Sequence, residues 1–185
     1  MTPFVQSTTN FVSYLTVLAD IFAVFLLVVL ITPLRKRGWT KKVAVFIGER
    51  AIFLSFLAAL AALGGSLFYS EIAGFAPCVL CWWQRVFLYP QAILLFIAFI
   101  KKDQLIRLHS IVLSSIGMLI SIYNVFLQFG GTAILNCDVG GVTCQHVYFL
   151  KYGYVTIPTM SLTIFALMLL FMLSPNPSKK EINEL

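Results

Sequence analysis

Two cysteines stand at Cys-x-x-Cys spacing in the run Pro77-Cys78-Val79-Leu80-Cys81-Trp82-Trp83-Gln84-Arg85. A short polar loop ends here and a long apolar run begins, which places the motif at a helix start. On a helix the two sulfurs lie about one turn apart and can close a small ring. The unpaired amides and the dipole of a helix N-terminus stabilise a thiolate. Thiolate is the species that attacks a disulfide or an electron acceptor. Arg85 follows Cys81 by one helical turn and shares its face, so its charge can stabilise a thiolate or an anionic form of a bound acceptor. Snorkelling to the interface is the plainer role for an arginine here, and aromatic-belt anchoring the plainer role for Trp82 and Trp83. For Arg85, its tie to the motif favours function.

The second pair, Cys137 and Cys144, brackets Asp138-Val139-Gly140-Gly141-Val142-Thr143. Two glycines allow a tight, adaptable loop that can bring those sulfurs together. His146 follows and could tune Cys144, or serve as an ordinary polar loop residue. Four cysteines in two local pairs fit disulfides, redox dithiols or a metal site. Zinc is disfavoured: the second pair is wider than in usual structural sites, and an oxidising compartment leaves few free thiolates. Two static disulfides are the other alternative, but so short a loop as Cys78–Cys81 adds little stability. Two dithiols in different places suggest an electron relay.

The elements that must position these sulfurs lie in lipid. The chain has 185 residues, 60% hydrophobic and 11% charged, with mean hydropathy +0.94. A soluble domain would carry about a quarter charged residues. The class is therefore an integral membrane protein with a lipid bilayer as its surroundings. The formal net charge of +6 belongs to short basic blocks between apolar runs, and no basic-aromatic stripe suited to nucleic acid is present.

Apolar runs cover about 11–34, 51–69, 82–100, 111–129 and 155–173. Each approaches the roughly 20 residues that cross a hydrocarbon core as helix. The first is not a signal peptide, because no basic residue precedes it and Arg35-Lys36-Arg37 follows it. Asp20 interrupts it, a costly residue in lipid that must face protein or the interface. Gly64-Gly65-Ser66 permits close helix approach. Five alternating spans put Arg35, Lys36, Arg37, Lys41, Lys42, Lys101, Lys102, Arg107, Lys179 and Lys180 on one side, with Arg85 and Lys151 on the other. The positive-inside rule makes the first side cytoplasmic. The N-terminus and both cysteine pairs then fall outside, where disulfides form and persist.

The motif resembles a known family. Gly65-Ser66-Leu67-Phe68-Tyr69-Ser70-Glu71-Ile72, Gly74-Phe75, the run from Pro77 to Arg85 and Tyr89-Pro90 closely resemble the disulfide bond formation protein B family, most of all its Gram-positive, BdbC-like branch. The late stretch Tyr152-Gly153-Tyr154-Val155-Thr156-Ile157-Pro158 supports this. The resemblance spans about residues 50–173. It implies a four-helix membrane bundle in the bacterial cytoplasmic membrane. That bundle oxidises a thioredoxin-fold, DsbA-like partner and passes electrons to a quinone, of ubiquinone or menaquinone type. By position, Cys78 and Cys81 look like the pair that meets quinone, Arg85 like the arginine beside it, and Cys137 and Cys144 like the pair that takes electrons from the partner.

The expected fold is thus an all-α integral membrane protein, a four-helix bundle with one extra N-terminal transmembrane helix. Residues 1–42 form that helix and a basic linker, 43–175 the redox domain, and 176–185 a cytoplasmic tail. The expected function is a quinone-dependent thiol oxidoreductase supporting disulfide formation. The alternative is a non-enzymatic multi-pass protein with two structural disulfides. Gln91, Tyr123, Asn124 and Gln128 could approach a quinone head group or bond neighbouring helices. His109 is assigned no role.

Overall fold

In a computed structural model, which describes residues 2–31, 38–132 and 143–175, the chain is all-helical, with no strand among the described residues. The helices are α1 (Pro3–Ile31), α2 (Gly38–Glu49), α3 (Ala51–Leu67), α4 (Val79–Lys101), α5 (Ile106–Gln128) and α6 (Ile157–Leu173). A π-helical turn, Phe68–Ile72, extends α3. Four helices are long and apolar enough to cross a membrane: α1, α3 with its π-turn, α4 and α5. Helix α6 has 17 residues, the lower limit for a span. It is the most enclosed element, with Phe165 and Met168 fully buried. The chain is an integral membrane helical bundle.

Two boundaries differ from expectation. Helix α1 begins at Pro3 rather than near Phe11. The polar stretch before Phe11 stays helical because Thr8 and Thr9 donate their hydroxyls to the carbonyls of Phe4 and Val5, at 3.0 and 2.7 Å. Val5, Thr9, Ser13 and Thr16 turn one buried stripe toward the bundle. Much of the basic linker is also ordered, as α2. Its Gly48 backs onto the Pro175 backbone, where a Cβ would collide.

The core lies between α3, α4, α5 and α6 around Leu88, Leu95, Phe165 and Met168. In this core Gly117 of α5 lies against α6, where an added Cβ would overlap the Phe165 ring. At the α6 C-terminus, Arg107 donates to the carbonyls of Met172 at 3.0 Å and Ser174 at 2.8 Å. These are groups that a helix end leaves unpaired. Beside them α4 and α5 are joined through Gln91. Its Oε1 accepts from Ser110 and Ser114, both at 3.0 Å, and its Nε2 donates to the Phe87 carbonyl at 2.9 Å.

Asp20 of α1 faces protein. Thr163 of α6 donates to one of its carboxylate oxygens at 2.5 Å and Tyr154 to the other at 2.8 Å. Tyr152 and Gly153 both take positive φ, at 52° and 79°. They form the turn that sends the chain from Lys151 back to Val155 and into α6.

Candidate functional site

The opposite end of the bundle holds the sulfurs. After the π-turn, Gly74 takes φ +69° and an extended segment leads to Cys78, the N-cap of α4. An N-cap side chain faces the unpaired amides of the first turn. Here Cys78 Sγ accepts from Cys81 N–H at 3.4 Å. The two sulfurs lie 2.8 Å apart, as the spacing predicts for one turn. A hydrogen bond to the Cys81 sulfur, then burial, push the Cys78 pKa up.

Cys144 sits in the same buried cluster, with Cys78, Leu80 and Leu127, and is 2% exposed. Three of the four expected site cysteines are therefore gathered in one place. Cys137 and the Gly140-Gly141 loop lie outside the described residues.

Two loops distant in sequence are held together to do this. Tyr148 donates its hydroxyl to the Ala76 carbonyl at 2.8 Å, one residue before the Pro77-Cys78 step. The Phe75 ring stacks on Tyr148 at 4.4 Å and on Tyr69 at 5.9 Å. His146 packs edge-on to Tyr148 at 4.6 Å. Gln128 donates to the His146 carbonyl at 3.0 Å. So His146 and Gln128 act in seating the Cys144 loop. The aromatic stack has no short-range sequence signal, because its members come from three segments.

Asn124 of α5 is fully buried and points its amide at the sulfurs, 3.7 Å from Cys81 and 4.0 Å from Cys78. Tyr123 packs against the same cluster. Gln91 lies in the α4–α5 network instead, away from the sulfurs. His109 is exposed and contacts the Leu105 carbonyl.

A cavity of about 550 Å³ opens beside Cys78 and Cys81, between α1, α3, α4 and α6. Its lining is mostly apolar. Arg85 reaches it, with one guanidinium nitrogen 3.4 Å from the Ser66 carbonyl and its charge 5.2 Å from the Trp82 ring centroid. Both partners are neutral, so the positive charge is not cancelled there. Gln84 lines the cavity too, is 5% exposed, and has a buried Nε2 with no hydrogen-bond partner among the described residues. The sequence offered one clue to Gln84: an amide in an apolar run, one turn after Cys81. Gly64 and Gly65 also line the cavity, and a Cβ on either would meet nothing within 4 Å. They leave room; they do not draw helices together.

An apolar pocket with a cation and an unused amide donor suits an apolar molecule carrying acceptor oxygens. A quinone has that character, so the residues present fit one. Fold and site define a membrane-embedded dithiol protein with a third cysteine in the same buried cluster as the first pair. Residues 48–174 match the family described as "Disulfide bond formation protein DsbB", and the chain belongs to that family. It is 44% identical over 115 residues to the SPbeta prophage-derived disulfide bond formation protein B of Bacillus subtilis, covering 62% of this chain and 75% of that one. It is 38% identical to disulfide bond formation protein C of the same organism, covering 72% and 99%. Against a probable disulfide formation protein of Chlamydia caviae it is 34% identical, covering 72% and 98%. No solved structure matches significantly. Family membership supports a disulfide oxidoreductase role in disulfide bond formation.

Proposed function

We propose that the protein oxidises a thioredoxin-fold, DsbA-like dithiol partner outside the bacterial cytoplasmic membrane and delivers the electrons to a membrane quinone. Cys137 and Cys144 face the partner, while Cys78 and Cys81 face the quinone. Arg85 and Gln84 hold its oxygens. The basic-residue pattern supports a cytoplasmic C-terminus and an external N-terminus. In this division, residues 43–175 are the redox domain, 1–42 an accessory helix with its linker, and 176–185 a tail. The observation that carries the reading is the gathering of Cys78, Cys81 and Cys144 in one cluster, with Cys78 and Cys81 lining an apolar cavity.

The steps balance as thiol–disulfide exchanges. A partner thiolate attacks the Cys137–Cys144 disulfide, and the partner's second thiol resolves the mixed disulfide. The partner leaves oxidised and the pair is left as a dithiol. Cys144 then attacks Cys78, forming a Cys78–Cys144 bond and releasing Cys81 as thiolate. Asn124, the nearest amide donor, stabilises that charge. Attack of Cys137 on Cys144 restores the second disulfide and leaves Cys78 and Cys81 both reduced. Re-closing Cys78–Cys81 releases two electrons and two protons, for which a bound quinone supplies the sink.

The test is reconstitution of purified protein with a reduced thioredoxin-fold protein and a soluble quinone, following quinone absorbance. Turnover that requires Cys81 and Cys144 is expected. Equal quinone reduction by wild type and Cys81→Ser would sink the mechanism.

A further inference from the structure

Helix α1 lies outside the matched residues 48–174, yet it forms one side of the cavity that holds the sulfurs. Val12, Leu15 and Ala19 of α1 line it together with Ala61, Ala62 and Gly65 of α3. We propose that α1 is the lateral wall of the acceptor site and that the apolar tail of the quinone runs between α1 and α3. The proposal rests on the quinone reading above and deepens it.

Three observations carry it. First, the cavity lining divides between a few polar groups and a majority of apolar ones. Gln84, Arg85 and the sulfurs of Cys78 and Cys81 share it with Val12, Leu15, Ala19, Leu88 and Ile164. A molecule with an oxygen-bearing head and a hydrocarbon tail matches that division. Second, α1 is fastened without closing the seam. Its carboxylate at Asp20 binds Thr163 and Tyr154 on the α6 side, Phe22 packs on Phe171 of α6 at 6.3 Å, and Phe4 meets Phe68 at the sulfur end at 6.0 Å. A carboxylate in a membrane helix is costly unless satisfied, and these two hydroxyls hold it toward α6. Third, α3 carries small residues where it faces α1, and added side-chain atoms at Gly64 and Gly65 would enter open space. The space between the two helices is therefore part of the built structure.

The experiment uses the full chain in lipid nanodiscs with a photoreactive azidoquinone, mapping adducts by mass spectrometry. Adducts on α1 between Val12 and Ala19, together with adducts on α3 or α4, are expected. In parallel, Leu15→Trp and Ala19→Trp fill the cavity from the α1 side. Each should weaken quinone binding about tenfold. Single-turnover oxidation of the reduced partner by the pre-oxidised protein, without quinone, should stay at wild-type rate and shows that the variants are folded. Leu15 is 46% exposed, so its replacement tests the wall even if Ala19→Trp does not fold. Adducts on α3 and α4 with none on α1, or wild-type quinone affinity in Leu15→Trp, would overturn the role of α1 and leave the quinone site in place. Adducts absent from every cavity segment would overturn both.

Discussion

Gln84 and Gln91 lie two helical turns apart on one face of α4, both buried, and their fates are opposite. Gln91 uses both ends of its amide, accepting from Ser110 and Ser114 and donating to Phe87. Gln84 keeps its Nε2 without a partner beside the cavity. A buried polar group without a partner costs roughly 1–3 kcal/mol. The Arg107 end of the bundle removes that cost with a closed network. The sulfur end retains it, as expected where a ligand completes the hydrogen bond. The same residue type, in the same helix at similar burial, is tied into a network in one place and turned to the cavity in the other.

Removing the chemistry from one end should leave the other intact. Cys81→Ser is expected to reduce quinone-linked turnover to background while the melting temperature stays near wild type; coupled turnover and thermal unfolding in detergent measure the two. Gln91→Leu should do the reverse. It strands two buried serine hydroxyls and should lower stability by roughly 1–2 kcal/mol, with the quinone requirement unchanged. Gln84→Leu completes the contrast. It should raise the quinone KM roughly fivefold without loss of stability, since it deletes a donor with no partner. If Gln84→Leu destabilises the protein and leaves KM alone, the contrast between the two glutamines fails.

The smallest effect concerns the α1 attachment. Burial, then the hydrogen bond to Asp20, raise the Tyr154 pKa from 10.0 to about 12. A raised folded-state pKa contributes stability that is complete below the ordinary tyrosine range and disappears as pH climbs through about 12. Any stability gap between wild type and Tyr154→Phe should therefore be present at neutral pH and close across that alkaline window. Thermal unfolding of both proteins against pH checks it, and a gap that persists above the window would show that Tyr154 acts through packing alone.

Much of the fold was legible because lipid imposes a simple code. Uninterrupted apolar runs gave the helices. The misjudged parts share a cause. The first apolar run was read from Phe11, yet threonine hydroxyls bonded to the preceding turn and a stripe buried on the bundle carry the helix back to Pro3. Gly64-Gly65 read as a packing surface, but the close contact formed at Gly117 against Phe165. A small residue permits both approach and empty space, and only the neighbouring helix decides between them.

By itself the sequence determined the membrane class, the Cys78–Cys81 pair at a helix start and the position of Arg85 one turn beyond. These follow from hydropathy and from the 3.6-residue period, which act over short range. Tertiary structure alone decided that Cys144 joins the Cys78 cluster, that Asn124 points at the sulfurs while Gln84 lines the cavity, and that α1 walls the cavity. Those relations join residues far apart in the chain through ring stacking, shared carbonyls and a carboxylate bound across two helices. No local pattern encodes them, because each partner has an ordinary role until the fold brings the others to it.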